Sequence, residues 1–166
     1  MSGQLDATSD ASRSMISTQT RLLQIIVCSL ISGVVLFTGF VIWSGALRQP
    51  PGGRMLTYLA VGMGAVMAVL HVVVPGLVER AALANQAVGS GVQSLLGVYV
   101  IRTIIASALL EGAAFASVVA VMIEHHQWVL GVTAVLLALM IMQIPSTTRI
   151  EHWLESRLME RDVGMS

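Results

Sequence analysis

Long apolar runs separated by short polar interruptions make up most of this chain. No charge falls between Arg21 and Arg48, and none between Arg54 and Glu79. Arg102 and Glu124 enclose a run broken only by Glu111, and Glu124 and Arg149 enclose another uncharged one. A helix needs about 20 apolar residues to cross a hydrocarbon core of about 30 Å, and each run is that long or longer. The pattern therefore predicts four transmembrane helices, near 22–46, 55–76, 95–123 and 127–145. Helix is the required form, because an unpaired backbone group in hydrocarbon costs several kcal/mol. The expected fold class is all-α membrane: an antiparallel bundle of four spans over residues 21–146.

The interruptions suit that reading. Gln49-Pro50-Pro51-Gly52-Gly53 is a turn that no helix continues through. Pro75-Gly76 is expected to end or kink the second span, with a short interfacial helix over 77–88 and a hinge at Gly89-Ser90-Gly91. Glu124-His125-His126-Gln127 is so short that the third and fourth spans must form a hairpin. Residues 1–20 are rich in Ser, Thr and Asp and are expected to be disordered. Over 147–166, Ile150, Trp153, Leu154 and Leu158 fall on one helical face among Arg and Glu residues. That pattern predicts a C-terminal amphipathic helix.

Composition agrees with the pattern. The 166 residues are 55% hydrophobic and 11% charged, against about 25% charged in a soluble domain. Disorder, a nucleic-acid module and an ordinary soluble enzyme are excluded. The net charge is zero, and all nine basic residues are arginine. No general attraction to nucleic acid follows. One cysteine, Cys28, leaves no disulfide or dithiol site within a chain; it reads as a small filler in the first span. The first apolar run is too long for the core of a cleavable signal peptide, so none is expected. Arg13, Arg21, Arg80, Arg149, Arg157 and Arg161 fall on the side of the termini, and Arg48 and Arg54 on the other. Positive charge concentrates on cytoplasmic loops. Both termini are therefore expected in the cytoplasm, with Trp43 and Trp128 at the far interface.

Few residues could carry chemistry. Glu111 lies near the middle of the third span, where a carboxyl is expected to be protonated, paired or facing a wet cavity. Ser107 lies one turn before it. Small residues surround both: Ala108, Gly112 and Ala116 form one ladder, Ala113 and Ser117 another, and such ladders let helices approach closely. Glu111 is thus expected in a helix–helix interface, either hydrogen-bonded there or binding a proton or cation. Arg102 leaves the opposite face of the same helix, about 13.5 Å away. It either snorkels to lipid phosphate or binds an anion from inside. His71, in the second span, is expected near the depth of Arg102, with Glu111 about two turns further out. Haem would need a second histidine at matching depth, so no cofactor is expected. Glu124-His125-His126 reads as a solvated turn and not as a metal site. Gly62-x-Gly64 reads as a packing notch.

The stretch Arg102-Thr-Ile-Ile-Ala-Ser-Ala-Leu-Leu-Glu111-Gly-Ala-Ala-Phe resembles small, uncharacterised four-helix bacterial membrane proteins whose third helix carries an arginine and then Glu-Gly-Ala. Locally it is also similar to the ion-binding helix of rotary ATPase proteolipids. This chain departs from the proteolipids in lacking a glycine-repeat partner helix and in placing its carboxylate in the third helix. Small proton-coupled multidrug transporters also have four helices and a buried Glu, but in the first helix. The resemblance implies a bacterial inner-membrane protein with the bilayer as its surroundings; four spans make a small enclosure, so a homo-oligomer or a larger membrane complex is expected. The expected role is non-enzymatic, with Glu111 at a helix interface. The alternatives are a proton- or cation-coupled transporter, or an accessory subunit recognised through its terminal helix.

Overall fold

A computed structural model describes the backbone of residues 2–84, 92–146 and 148, and the side chains of 16–78, 80–81, 96–146 and 148. The described residues are helical, with no strand. Helix α1 spans Ser2–Trp43, α2 Met55–Ala84, α3 Val92–Glu124 and α4 Val129–Met142. Among the described residues, three stretches are long and apolar enough to cross a bilayer: Ile16–Trp43, Met55–Val78 and Leu96–Glu124. Helix α4 has 14 residues, about 21 Å of rise, which is short of the hydrocarbon core.

Chain chemistry accounts for the ends of the helices. Helix α1 stops where Gly45 takes a left-handed conformation, φ 79°. Glycine bears that conformation without a Cβ penalty, which is why it so often follows a helix. A single 3₁₀ turn, Ala46–Arg48, leads into the proline pair. His125 plays the terminating part after α3 with φ 61°, a conformation unusual for a residue other than glycine. Its N–H donates to the Val121 carbonyl at 2.9 Å.

Two expectations need correction. Helix α1 already begins at Ser2, so the polar segment expected to be disordered extends the first helix. No proline interrupts residues 2–43, and an existing helix propagates more easily than a new one nucleates. Helix α2 also runs on through Pro75 to Ala84. Pro75 removes one N–H, leaving the His71 carbonyl without its donor four residues on, but it does not stop the helix. The expected interfacial segment 77–88 is, as far as Ala84, the continuation of α2. The Gly89-Ser90-Gly91 hinge lies outside the described residues, and so does the terminal amphipathic helix, save residue 148.

Helix α3 is the hub. Half of its apolar span is buried, against 17% in α1 and 11% in α2. It packs on α1, α2 and α4, with no comparable contact between α1 and α2. The buried residues form three layers along it. One holds Val41, Ala46, Val118, Val121 and Val129. The middle layer holds Val34, Leu110, Ala113, Ala114, Leu136 and Met140. Leu23, Leu96 and Tyr99 form the third. Leu36, Val72 and Val135 are exposed apolar residues on the outer faces, as lipid contact permits. Lipid is as apolar as leucine, so close packing rather than water exclusion must favour association of helices. Small residues serve that: a Cβ added to Gly64 would lie 3.4 Å from Val132 and 3.7 Å from Leu136, so α2 meets α4 there.

Candidate functional site

Polar groups gather in three places. The first is at the end of the molecule where the α1–α2 loop meets the α3–α4 turn. Glu124 is the last residue of α3 and only 5% exposed. Its two carboxyl oxygens accept from the backbone N–H groups of Leu56 at 2.8 Å and Thr57 at 2.7 Å. These belong to the first turn of α2, whose N–H groups have no partner within the helix. A carboxylate there also faces the positive end of the helix dipole. The Glu124 carbonyl accepts from Gly52 N–H at 3.0 Å. A Cβ on Gly53 would sit 3.3 Å from Glu124 Oε1, so the loop comes this close because residue 53 has no side chain. His126 Nε2 donates to the Gly53 carbonyl at 3.0 Å, and Gln127 donates to that of Leu47 at 2.8 Å. The expected solvated turn is therefore a latch. Trp43 and Trp128, both exposed, fall at this same end.

Glu111 and Ser107 make the second group, on α3. Glu111 is half-buried and faces α1: its Oε1 lies 4.0 Å from where a Cβ on Gly33 would stand, beside Phe115. Phe115 in turn packs on Phe37 of α1, with ring centroids 5.6 Å apart. Ser107 is fully buried, and its hydroxyl has no hydrogen-bond partner. The two ladders of small residues separate. Ala113 and Ser117 are buried, with the Ser117 hydroxyl donating to the Ala113 carbonyl at 2.9 Å. Ala108 and Gly112 are exposed, and a Cβ on Gly112 would meet nothing within 4 Å.

The third group lines a cavity of about 430 Å³ between α2, α3 and the end of α4. His71, Pro75, Tyr99, Arg102, Thr103 and Gln143 contribute to its wall. His71 Nδ1 bonds the Ala68 carbonyl; a carbonyl only accepts, so Nδ1 carries the proton and Nε2 is left over. Thr103 donates its hydroxyl proton to the Tyr99 carbonyl at 2.9 Å, which leaves its oxygen as an acceptor. The Gln143 side-chain oxygen is buried without a partner.

The latch sets the register of α2 against α3. His71 lies about four helical turns beyond Thr57, and Arg102 about six turns before Glu124. At about 1.5 Å per residue, Arg102 is about 12 Å further from the latch than His71. Glu111, about four turns before Glu124, is level with His71. The expected common depth of His71 and Arg102 is therefore corrected, although both line one elongated cavity. Glu111 and Ser107 do not line it. Of the functional features, the Glu124 cap was missed from sequence. Its one signal was a carboxylate beside a tight turn, opposite a proline–glycine loop.

Cys28 is exposed on α1 rather than filling the interior. Among the described residues, no group of three His, Cys, Asp or Glu side chains converges to hold a metal ion. No protein-family model, no curated protein and no solved structure matches this chain.

Proposed function

We propose that this chain is a multi-pass protein of the bacterial inner membrane, with four spans and cytoplasmic termini, which acts by association and not by catalysis. Glu111 is a polar contact of the α1–α3 interface. The observation that carries this reading is the seating of Glu111 against Gly33 and Phe115, next to the closely packed layer of Val34, Leu110, Ala113 and Ala114. The fourth span would comprise α4 with its flanks, residues 127–145. Gln24 of α1 supports that by donating to the Pro145 carbonyl at 2.9 Å, which holds the end of α4 within the bundle. The arginine distribution supports the orientation. Reconstituted Glu111→Gln protein tests the role: an amide can replace a protonated acid in an interface, so folding and assembly should be preserved. Loss of the folded species would overturn this reading.

One observation favours the transporter alternative. The buried, unpartnered Ser107 hydroxyl lies one helical turn from Glu111, and the two oxygens together could hold a proton or a small cation. In that case Glu111→Gln abolishes a flux driven by a pH gradient in vesicles while expression stays normal. Unchanged flux removes the alternative. The accessory-subunit reading predicts that deleting 147–166 releases partners in a pull-down.

A further inference from the structure

The cavity beside Arg102 exists for a geometric reason. Helix α4 ends after 14 residues, whereas α2 and α3 have 30 and 33. All three start or end at the latch, so α4 runs out about 21 Å from it while its neighbours continue. Below that level, among the described residues, α4 no longer covers the facing sides of α2 and α3. Pro75, Tyr99, Arg102 and Thr103 occupy the uncovered surface, and Gln143, the residue after α4, forms its roof.

Its chemistry is uneven. Arg102 brings a permanent positive charge. It already has a partner inside the chain, and its guanidinium carries five N–H donors in all. Acceptors also belong to its lining residues: the Thr103 oxygen, the buried and unpartnered Gln143 oxygen, and the His71 carbonyl that Pro75 leaves without a donor, beside the donors of the Tyr99 hydroxyl and the Gln143 amide nitrogen. Arg102 stands about two turns from the middle of the Leu96–Glu124 span. That is about 12 Å from the bilayer centre, just inside the hydrocarbon boundary at about 15 Å. Val72 on the rim is 67% exposed and opens the cavity sideways.

We propose that this cavity binds a phosphate ester that also carries hydroxyl groups, of the glycerol phosphate kind. The oxyanion pairs with Arg102, and a hydroxyl donates to the Gln143 and His71 acceptors at the inner end. A cation separated from those acceptors by about 12 Å matches an anion joined to a donor, and the volume falls within the roughly 300–1,000 Å³ of small-molecule sites. The same chemistry occurs in free glycerol phosphate and in a phosphatidylglycerol headgroup, whose chains would leave past Val72. The proposal rests on the membrane placement of α3 and on no role for Glu111, and its test shares no readout with the Glu111 flux assay.

The experiment uses the full chain, with glycerol 3-phosphate added to detergent-solubilised protein and, separately, nanodiscs of phosphatidylcholine with and without phosphatidylglycerol, read by calorimetry and native mass spectrometry. Saturable glycerol 3-phosphate binding that Arg102→Gln weakens about ten- to hundredfold supports the soluble source. Retention of phosphatidylglycerol alone, lost in the same variant, supports the lipid source. Gln143→Leu should weaken either by about five- to tenfold, and sulfate, which has no proton to donate, should bind more weakly than glycerol 3-phosphate. Arg102→Lys keeps the charge and serves if Arg102→Gln does not fold; the lipid-facing Val135→Ala is the control. No saturable binding of either probe, or binding by Arg102→Gln (by Arg102→Lys where the Gln variant does not fold) and by Gln143→Leu equal to that of wild type, overturns the proposal.

Discussion

The two ends of the helical assembly solve the problem of buried polar groups in opposite ways. At the latch the one buried charge and several loop carbonyls are matched, although the Thr57 hydroxyl and His125 Nδ1 stay without a partner. Glu124 accepts from Leu56, Thr57 and Gly52, while His126 and Gln127 tie down the loop carbonyls of Gly53 and Leu47. Toward the other end α4 runs out early, and a cavity remains whose wall holds a cation and unmatched acceptors. A satisfied polar network rigidifies, whereas an unsatisfied one costs stability and waits for a partner. The latch end is therefore built for stability and the cavity end for binding.

Mutations can break or sharpen that contrast. Glu124→Ala should give the largest loss of thermal stability, because it uncaps α2 and frees both loops together. Helix content and melting temperature in detergent measure it, and a wild-type melting curve would refute the latch. Next come substitutions in the middle layer. Ala113→Leu should destabilise by about 1–3 kcal/mol through overpacking, whereas Gly112→Leu, one residue away and facing outward, should cost much less. Equal losses in denaturant titrations would contradict the packing face assigned to α3. At the cavity the sign reverses. Gln143→Leu removes an unpartnered buried oxygen and should be neutral or stabilising by up to about 1 kcal/mol, although it weakens ligand binding. A marked drop in stability would mean that this oxygen has a partner in the membrane. The smallest effect is expected for His125→Gly, which relieves a left-handed conformation and should add about 0.5–1 kcal/mol.

Much of the fold was legible because a bilayer imposes a length on apolar runs. The stretch fenced by Arg54 and Glu79 contains the span Met55–Val78, that between Arg21 and Arg48 holds most of Ile16–Trp43, and the stretch from Arg102 to Glu124 lies within α3. Of the two outcomes expected at Pro75, an end and a kink, the end does not occur, because proline weakens a helix locally but does not forbid one whose neighbours hold it. The reading of Glu124-His125-His126-Gln127 as solvated holds for exposed Gln127 and not for buried Glu124, for a different reason. Its partners, Gly52, Leu56 and Thr57, are about 70 residues away in sequence, and no local pattern announces a cap supplied by another helix.

Hydrophobic patterning by itself determined where the chain can enter a membrane, because the cost of moving a whole segment into hydrocarbon is set first by its own composition. It also singled out Glu111, Arg102 and His71, the side chains that defy that cost. Only the tertiary structure decided which of them meet. It turned Glu111 toward Gly33, joined Arg102 and His71 along one cavity, and made Glu124 the cap of α2. Those outcomes depend on helix register and on the early end of α4, which arise from packing between segments distant in sequence.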